Sequence, residues 1–283
     1  MTGMPARARE RPSLVERVER VGGAVMRGLV VLALVYLLLP IVVLVATSFT
    51  ATDFLVFPPR GLSLRWYATF VNTPGWLESF RLSLAVAAAT TVLTPLIGVP
   101  AALVLSRDTF PGRQLLASLL LSPLVLPQVV LGVGLLQYLT LIGLARTFWA
   151  ILVGHVVLAM PYMIRSVMAT LAGVDPALEE AAADLGASPP VTFFTVTLPL
   201  IKPGVIAGAL FAFVISWTNV EVTMFFTTSL LNPLPVNIMN YIAYNVDPLV
   251  AAISATSVYV SLVFLLLIDA TVGLDRFAET RPR

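Results

Sequence analysis

Seven stretches of this 283-residue chain contain no Asp, Glu, Lys or Arg: Gly28–Thr52, Leu82–Ser106, Gln114–Ala145, Thr147–Ile164, Pro203–Val220, Val222–Val246 and Pro248–Ile268. Crossing a bilayer takes about 20 apolar residues, so most of these are membrane segments. A soluble domain carries about 25% charged residues. Here 11% are charged and 58% hydrophobic. The chain is therefore read as an all-α integral membrane protein with six transmembrane helices, at about 26–48, 82–106, 114–139, 147–165, 203–224 and 248–269. Val222–Val246 holds Asn232, Pro233, Pro235, Asn237 and Asn240, so its second half reads as a loop.

The first apolar run follows Arg7, Arg9, Arg11, Arg17, Arg20 and Arg27, is too long for a signal-peptide core, and reads as a retained span. Just before it, Leu14, Val15, Val18 and Val21 share one helical face and Glu16, Arg17, Glu19 and Arg20 the other. This amphipathic piece is either an elbow in the membrane interface or the solvated start of the span. Counting basic residues orients the whole. One side takes the amino-terminal six plus Arg107, Arg113, Arg165, Lys202, Arg276, Arg281 and Arg283, thirteen in all; the other takes Arg60, Arg65, Arg81 and Arg146. Both termini are therefore placed in the cytoplasm.

Several chemistries are excluded. The chain has no cysteine, hence no disulfide and no thiolate site, and with His155 as its one histidine it cannot build a paired-histidine zinc site. There is no G-x-S-x-G elbow and no G-x-x-x-x-G-K-[ST] loop, so nucleotide hydrolysis has to come from another chain. The net charge is +2 and the basic residues are scattered, which argues against nucleic acid. His155 is read as a core histidine with satisfied ring nitrogens.

The largest segment on the basic side, Arg165 to Lys202, carries the most information. Asp175 is read as the N-cap and Pro176 as the first helical residue of an alanine-rich run that Gly186 stops, so both ends of a short helix are specified. Ser188-Pro189 restarts a second helix, and Leu198-Pro199 is expected to end it because proline blocks continuation.

With these residues the chain resembles the permease subunits of binding-protein-dependent ABC importers, whose cytoplasmic signature is E-A-A, three residues, G, nine residues, I-x-L-P. Glu180-Ala181-Ala182, Gly186, Val196, Leu198 and Pro199 stand at the matching offsets, with valine for isoleucine as the one departure. Phe57 to Tyr67, Ser122-Pro123, Pro127 and Pro161 look like the polyamine and opine type of these permeases. The resemblance implies a type I importer fold, a second permease subunit that is a different chain, two cytoplasmic ATPase subunits holding ATP and Mg, and a periplasmic solute-binding protein. It implies no cofactor and no enzymatic activity in this chain, and a bacterial inner-membrane location. The chain divides into a cytoplasmic segment (1–25), the first span with an external loop (26–81), a core permease domain (82–269) with a coupling loop at 166–202, and a cytoplasmic tail (270–283). In the family the short helix sits in a cleft of the ATPase, and Glu180 is expected to meet a basic group there. Glu179 and Asp184 are read as solvated bystanders.

For the solute, the fifth span offers one acid. Trp217, Thr218 and Phe225 fall on one helical face with Glu221, and a carboxylate with an aromatic ring a turn away on either side suits an ammonium group. Trp217, Thr218, Asn219 and Glu221 are the expected path residues, for a polyamine-like or other amine-bearing compound, although Asn219 and Glu221 lie about 160° apart on an ideal helix; the other reading is that Glu221 sits hydrated at the external interface. The polyamine permeases carry adjacent acids near Thr218 and Asn219, and this chain has neither. Another solute, such as an opine, phosphonate or metal chelate, or a secondary transporter, stands as the alternative. Pro95, Pro100, Pro123, Pro127, Pro161 and Pro203 are candidate kinks, and Gly132, Gly134, Gly204 and Gly208 candidate sites of close helix contact.

Overall fold

The computed structural model describes residues 14–272. Expectations for residues 1–13 and 273–283, and for the side chains of 14–21, lie outside the described residues. Helix α1 runs Leu14–Ser48 without interruption, so the amphipathic piece is the start of the first span and not a separate elbow. There follow α2 (Arg65–Asn72), α3 (Trp76–Arg107), α4 (Arg113–Leu121), α5 (Gln128–Leu141), α6 (Phe148–Leu171), α7 (Ala177–Asp184), α8 (Pro189–Thr192), α9 (Leu198–Thr218), α10 (Leu234–Ile242) and α11 (Pro248–Val272). Among the described residues five helices are long and apolar enough to cross a membrane, or six spans if the bent pair α4 and α5 counts as one.

Three of them, α3, α6 and α9, form the centre. The apolar window of α6 is 61% buried, against 0% for α1, so α6 is enclosed by its own chain and α1 is left at the periphery. Small residues allow this approach. A Cβ on Gly204 of α9 would meet Thr170 Oγ1 and lie 2.5 Å from Ser166 O, and one on Gly208 would lie 2.5 Å from Met163 Sδ. The expected close contact is there, with α6 as the partner. Gly132 does the same against Phe225, whereas Gly134 has open space.

The third span departs from expectation. A 3-10 turn, Ser122–Leu124, ends α4, and α5 leaves at 112°. Pro127 lacks an N–H and disfavours helical backbone at Leu126, which breaks the span in its middle. Helices α3, α6 and α9 instead continue through Pro95, Pro100, Pro161 and Pro203.

The stretch 234–242, expected as loop, is helix α10. Pro235 falls in its first turn, where a missing N–H costs nothing. Side chains of α3 hold it: Leu234 N donates to Ser83 Oγ at 2.7 Å and Asn237 Nδ2 to Ser79 Oγ at 3.0 Å. At the same end of the bundle Trp66, Phe70 and Trp76 pack with Phe213, Trp217 and Leu234 in one buried cluster.

Candidate functional site

Two places combine exposed polar groups with irregular backbone: the loop around α7 and the far end of α9.

Helix α7 is closed by Gly186 as its sequence predicts and starts one residue later than expected, at Ala177 with Pro176 in the N-cap position. Asp175 Oδ1 accepts the N–H of Ala177 at 3.0 Å. At the other end Ala187 N donates to Ala182 O and Gly186 N to Ala183 O, the paired bonds of a Schellman closure, with Gly186 at φ +89°. A Cβ on Gly186 would touch nothing, so glycine is there for its conformation and not for space. Glu180, Ala181 and Ala183 are exposed, Ala182 is half-buried, and Leu185 at the corner is 90% exposed. An apolar side chain left this open was not anticipated.

Glu179 was expected to be a bystander, and the structure corrects this. Its Oε1 accepts from Arg107 Nη2 at 3.3 Å and from Thr197 Oγ1 at 2.8 Å. Half-buried Ala182, three residues on, shares this side of α7, but nothing in the local sequence marks the side as inward or names the partner on α3.

Leu198 and Pro199 do not end the second helix of the loop. Residues Phe193–Thr197 form a π-turn in which Leu198 N donates to Phe193 O, and α9 starts directly from it with Pro199 in its first turn. The π-turn moves the hydrogen-bond register by one residue just where the proline ring would clash, so the helix passes through.

At its far end α9 stops at Thr218, short of the expected 224. Asn219 takes extended backbone and its Oδ1 accepts the N–H groups of Val222 at 3.1 Å and Thr223 at 3.2 Å, capping the 3-10 turn Thr223–Phe225. Its Nδ2 donates to Gln128 Oε1 at 2.8 Å, on the first residue of α5. The break in α9 and the break between α4 and α5 thus meet. Because the helix stops, Trp217 and Glu221 do not share a helical face. Trp217 is buried, stacked on Phe213 and edge-on to Phe80, with Nε1 donating to Ser257 O at 3.3 Å. Thr218 and Glu221 are exposed.

Beneath the break, His155 Nδ1 lies 2.7 Å from Ser216 Oγ and Nε2 2.8 Å from Thr223 Oγ1. It is 2% exposed, a satisfied core histidine as read from the sequence. Near the α10 end a cavity of about 370 Å³ is lined in part by Trp76, Glu78, Asn232 and Tyr241. Burial and the hydrogen bond to Asp247 push the Tyr241 phenol up to about 12, so it remains a donor at any working pH. Among the described residues no group of three His, Asp or Glu is placed to hold a metal.

Residues 95–273 match the family described as binding-protein-dependent transport system inner membrane component. The chain is 31% identical over 245 residues to the spermidine/putrescine transport system permease protein PotC of Escherichia coli (strain K12), covering 86% of this chain and 92% of that one. It is 31% identical over 233 residues to the putrescine transport system permease protein PotI of the same strain, covering 80% and 83%. Its fold is shared with a chain of a bacterial ABC transporter for the acidic polysaccharide alginate, at TM-score 0.71 and 18% identity over 93% of this chain and 99% of that one. A membrane-helix core without nucleotide motifs, a glycine-cornered loop helix and these similarities lead to one conclusion: the chain belongs to the binding-protein-dependent inner membrane components and is a type I ABC importer permease, a transport subunit and not an enzyme.

Proposed function

We propose that this chain is one membrane half of an ATP-driven importer for a small amine-bearing solute, with residues 175–199 as the lever worked by cytoplasmic ATPase subunits. The observation that carries this is the surface of α7: a small-residue helix, closed at both ends, whose exposed Leu185 tip is covered by none of the described residues. Such a helix fits a groove on a partner. Closure of two ATPase subunits around two such helices would pull the attached spans toward an outward-facing state. The partner permease is a different chain, the solute arrives on a periplasmic binding protein, and ATP with Mg stays on the ATPase. In this reading the loop and both termini lie on the cytoplasmic side, which the excess of basic residues there supports.

The solute class rests on the relatives named for spermidine and putrescine and on the break in α9. Exposed Glu221 and Thr218 face the path and supply a carboxylate and a hydroxyl for an ammonium group. Asn219 and buried Trp217 hold the break in shape.

The test is a reconstituted complex of both permeases, the ATPase and the binding protein loaded with spermidine or putrescine. Glu180→Arg should weaken co-purification of the ATPase by reversing a charge at the docking helix. Gly186→Val should leave the complex assembled but lower uptake and solute-stimulated ATPase together, because a β-branched residue at positive φ costs about 1 kcal/mol or more. Normal stimulation in Gly186→Val complexes would remove the lever. Glu221→Gln transporting both amines at the wild-type rate would remove the path residue and leave the lever standing.

A further inference from the structure

Glu179 turns away from the exposed side of α7, and its one bonded carboxylate oxygen joins three elements. It receives Arg107 from the end of α3 and Thr197 from the π-turn that opens α9. Among the described residues, this is the one side-chain hydrogen bond between α3 and the loop. Covalent connection runs from the loop only to α6 and α9, so α3 feels the loop through packing and through this pair.

Two features show that the junction is set loosely. Arg107 Nε is buried with no hydrogen-bond partner among the described residues. A forked arginine–carboxylate pair uses two guanidinium N–H groups at once, whereas here only Nη2 bonds, at a long 3.3 Å. Beside the pair lies an open cleft of about 380 Å³, with Leu103 of α3 on one side and Ala183, Ala187 and Phe193 on the other. The cleft gives α7 room to move toward α3, and the unpaired donor favours a state that pairs it.

We propose that Arg107, Glu179 and Thr197 form a latch with two settings, which carries movement of the loop into α3 and α9. The singly bonded setting is the one observed. In the second, α7 closes on the cleft and Nε joins Nη2 on the Glu179 carboxylate, so that α3 is gripped and moves with the loop. These are positioning residues. The latch rests on the lever reading of residues 175–199.

The chain has no cysteine of its own, so paired cysteines can carry spin labels without competition from native thiols. One pair, Leu103→Cys with Ala183→Cys, spans the cleft; a second, Glu78→Cys with Leu230→Cys, spans the cavity at the far end of α3. Distances are measured in the assembled importer without nucleotide and after trapping with ATP and vanadate. Both pairs should change in the otherwise unaltered protein. Arg107→Lys keeps the charge but cannot fork. The cleft pair should still respond, the far pair should not, and uptake should fall about tenfold, the scale of a lost coupling between sites. Exchanging the charges, Arg107→Glu with Glu179→Arg, should return the far-end response. Arg107→Lys matching the unaltered protein at both pairs, or an exchange that returns nothing, would overturn the latch and leave the lever intact. A cleft pair insensitive to nucleotide in the otherwise unaltered protein would overturn the lever itself.

Discussion

The two ends of α9 invert what their residues suggest. The loop-side end carries Pro199 and Pro203, yet the helix starts there and runs on. The other end, Ser216-Trp217-Thr218-Asn219, contains no proline, yet the helix stops. At the loop side the chain absorbs the proline by slipping one register through a π-turn, and Gly204 and Gly208 pack the continuing helix closely on α6. At the far side a polar side chain substitutes for the helix. Asn219 satisfies two backbone N–H groups itself and reaches across to Gln128, so two of the donors beyond the break are paired without the helix. Whether a helix in this protein continues is decided by where its hydrogen bonds can go, more than by which residue is a named helix breaker.

Substitutions can test that contrast. The largest effect is expected at Gly204→Val, since the added carbons meet the backbone of Ser166 and cannot be accommodated by a side-chain rotation. We expect a loss of about 3 kcal/mol, seen as a lower melting temperature of the purified protein in detergent. A melting temperature equal to the parent's would mean that α6 and α9 are not in this contact. Next is Asn219→Leu, which leaves two buried N–H groups without acceptors, a loss of about 2 kcal/mol at about 1 kcal/mol each. Hydrogen exchange at Val222 and Thr223 should accelerate. Asn219→Asp should fall between, because it keeps the acceptor oxygen and loses the donation to Gln128. If Asn219→Leu exchanges as slowly as the parent, some other group caps the turn. The smallest effect is expected at Pro199→Ala, within about 0.5 kcal/mol, because the π-turn already accommodates the missing N–H. A large change there would show that proline sets the π-turn and does not merely tolerate it.

Much of the loop around α7 was legible because its signals are local. Asp175, Pro176 and Gly186 act on backbone groups within a few residues, and the Schellman closure and positive φ followed. The spans were legible for the same reason, since hydropathy is summed along the chain. The path residues were less so. Placing Trp217 with Glu221 assumed an unbroken helix, and Asn219, a residue that prefers caps, was the one available sign of the break.

The number of apolar segments, the short capped helix and its glycine corner were determined by the sequence alone, because each depends on neighbours along the chain. Where α9 stops, why α4 and α5 part at 112°, and that Glu179 faces inward to Arg107 were decided only by tertiary structure. These depend on partners far along the chain, Gln128 for Asn219 and Arg107 for Glu179, 91 and 72 residues away. A polar group in an apolar protein goes where a partner can be found, and no local pattern states which distant residue that will be.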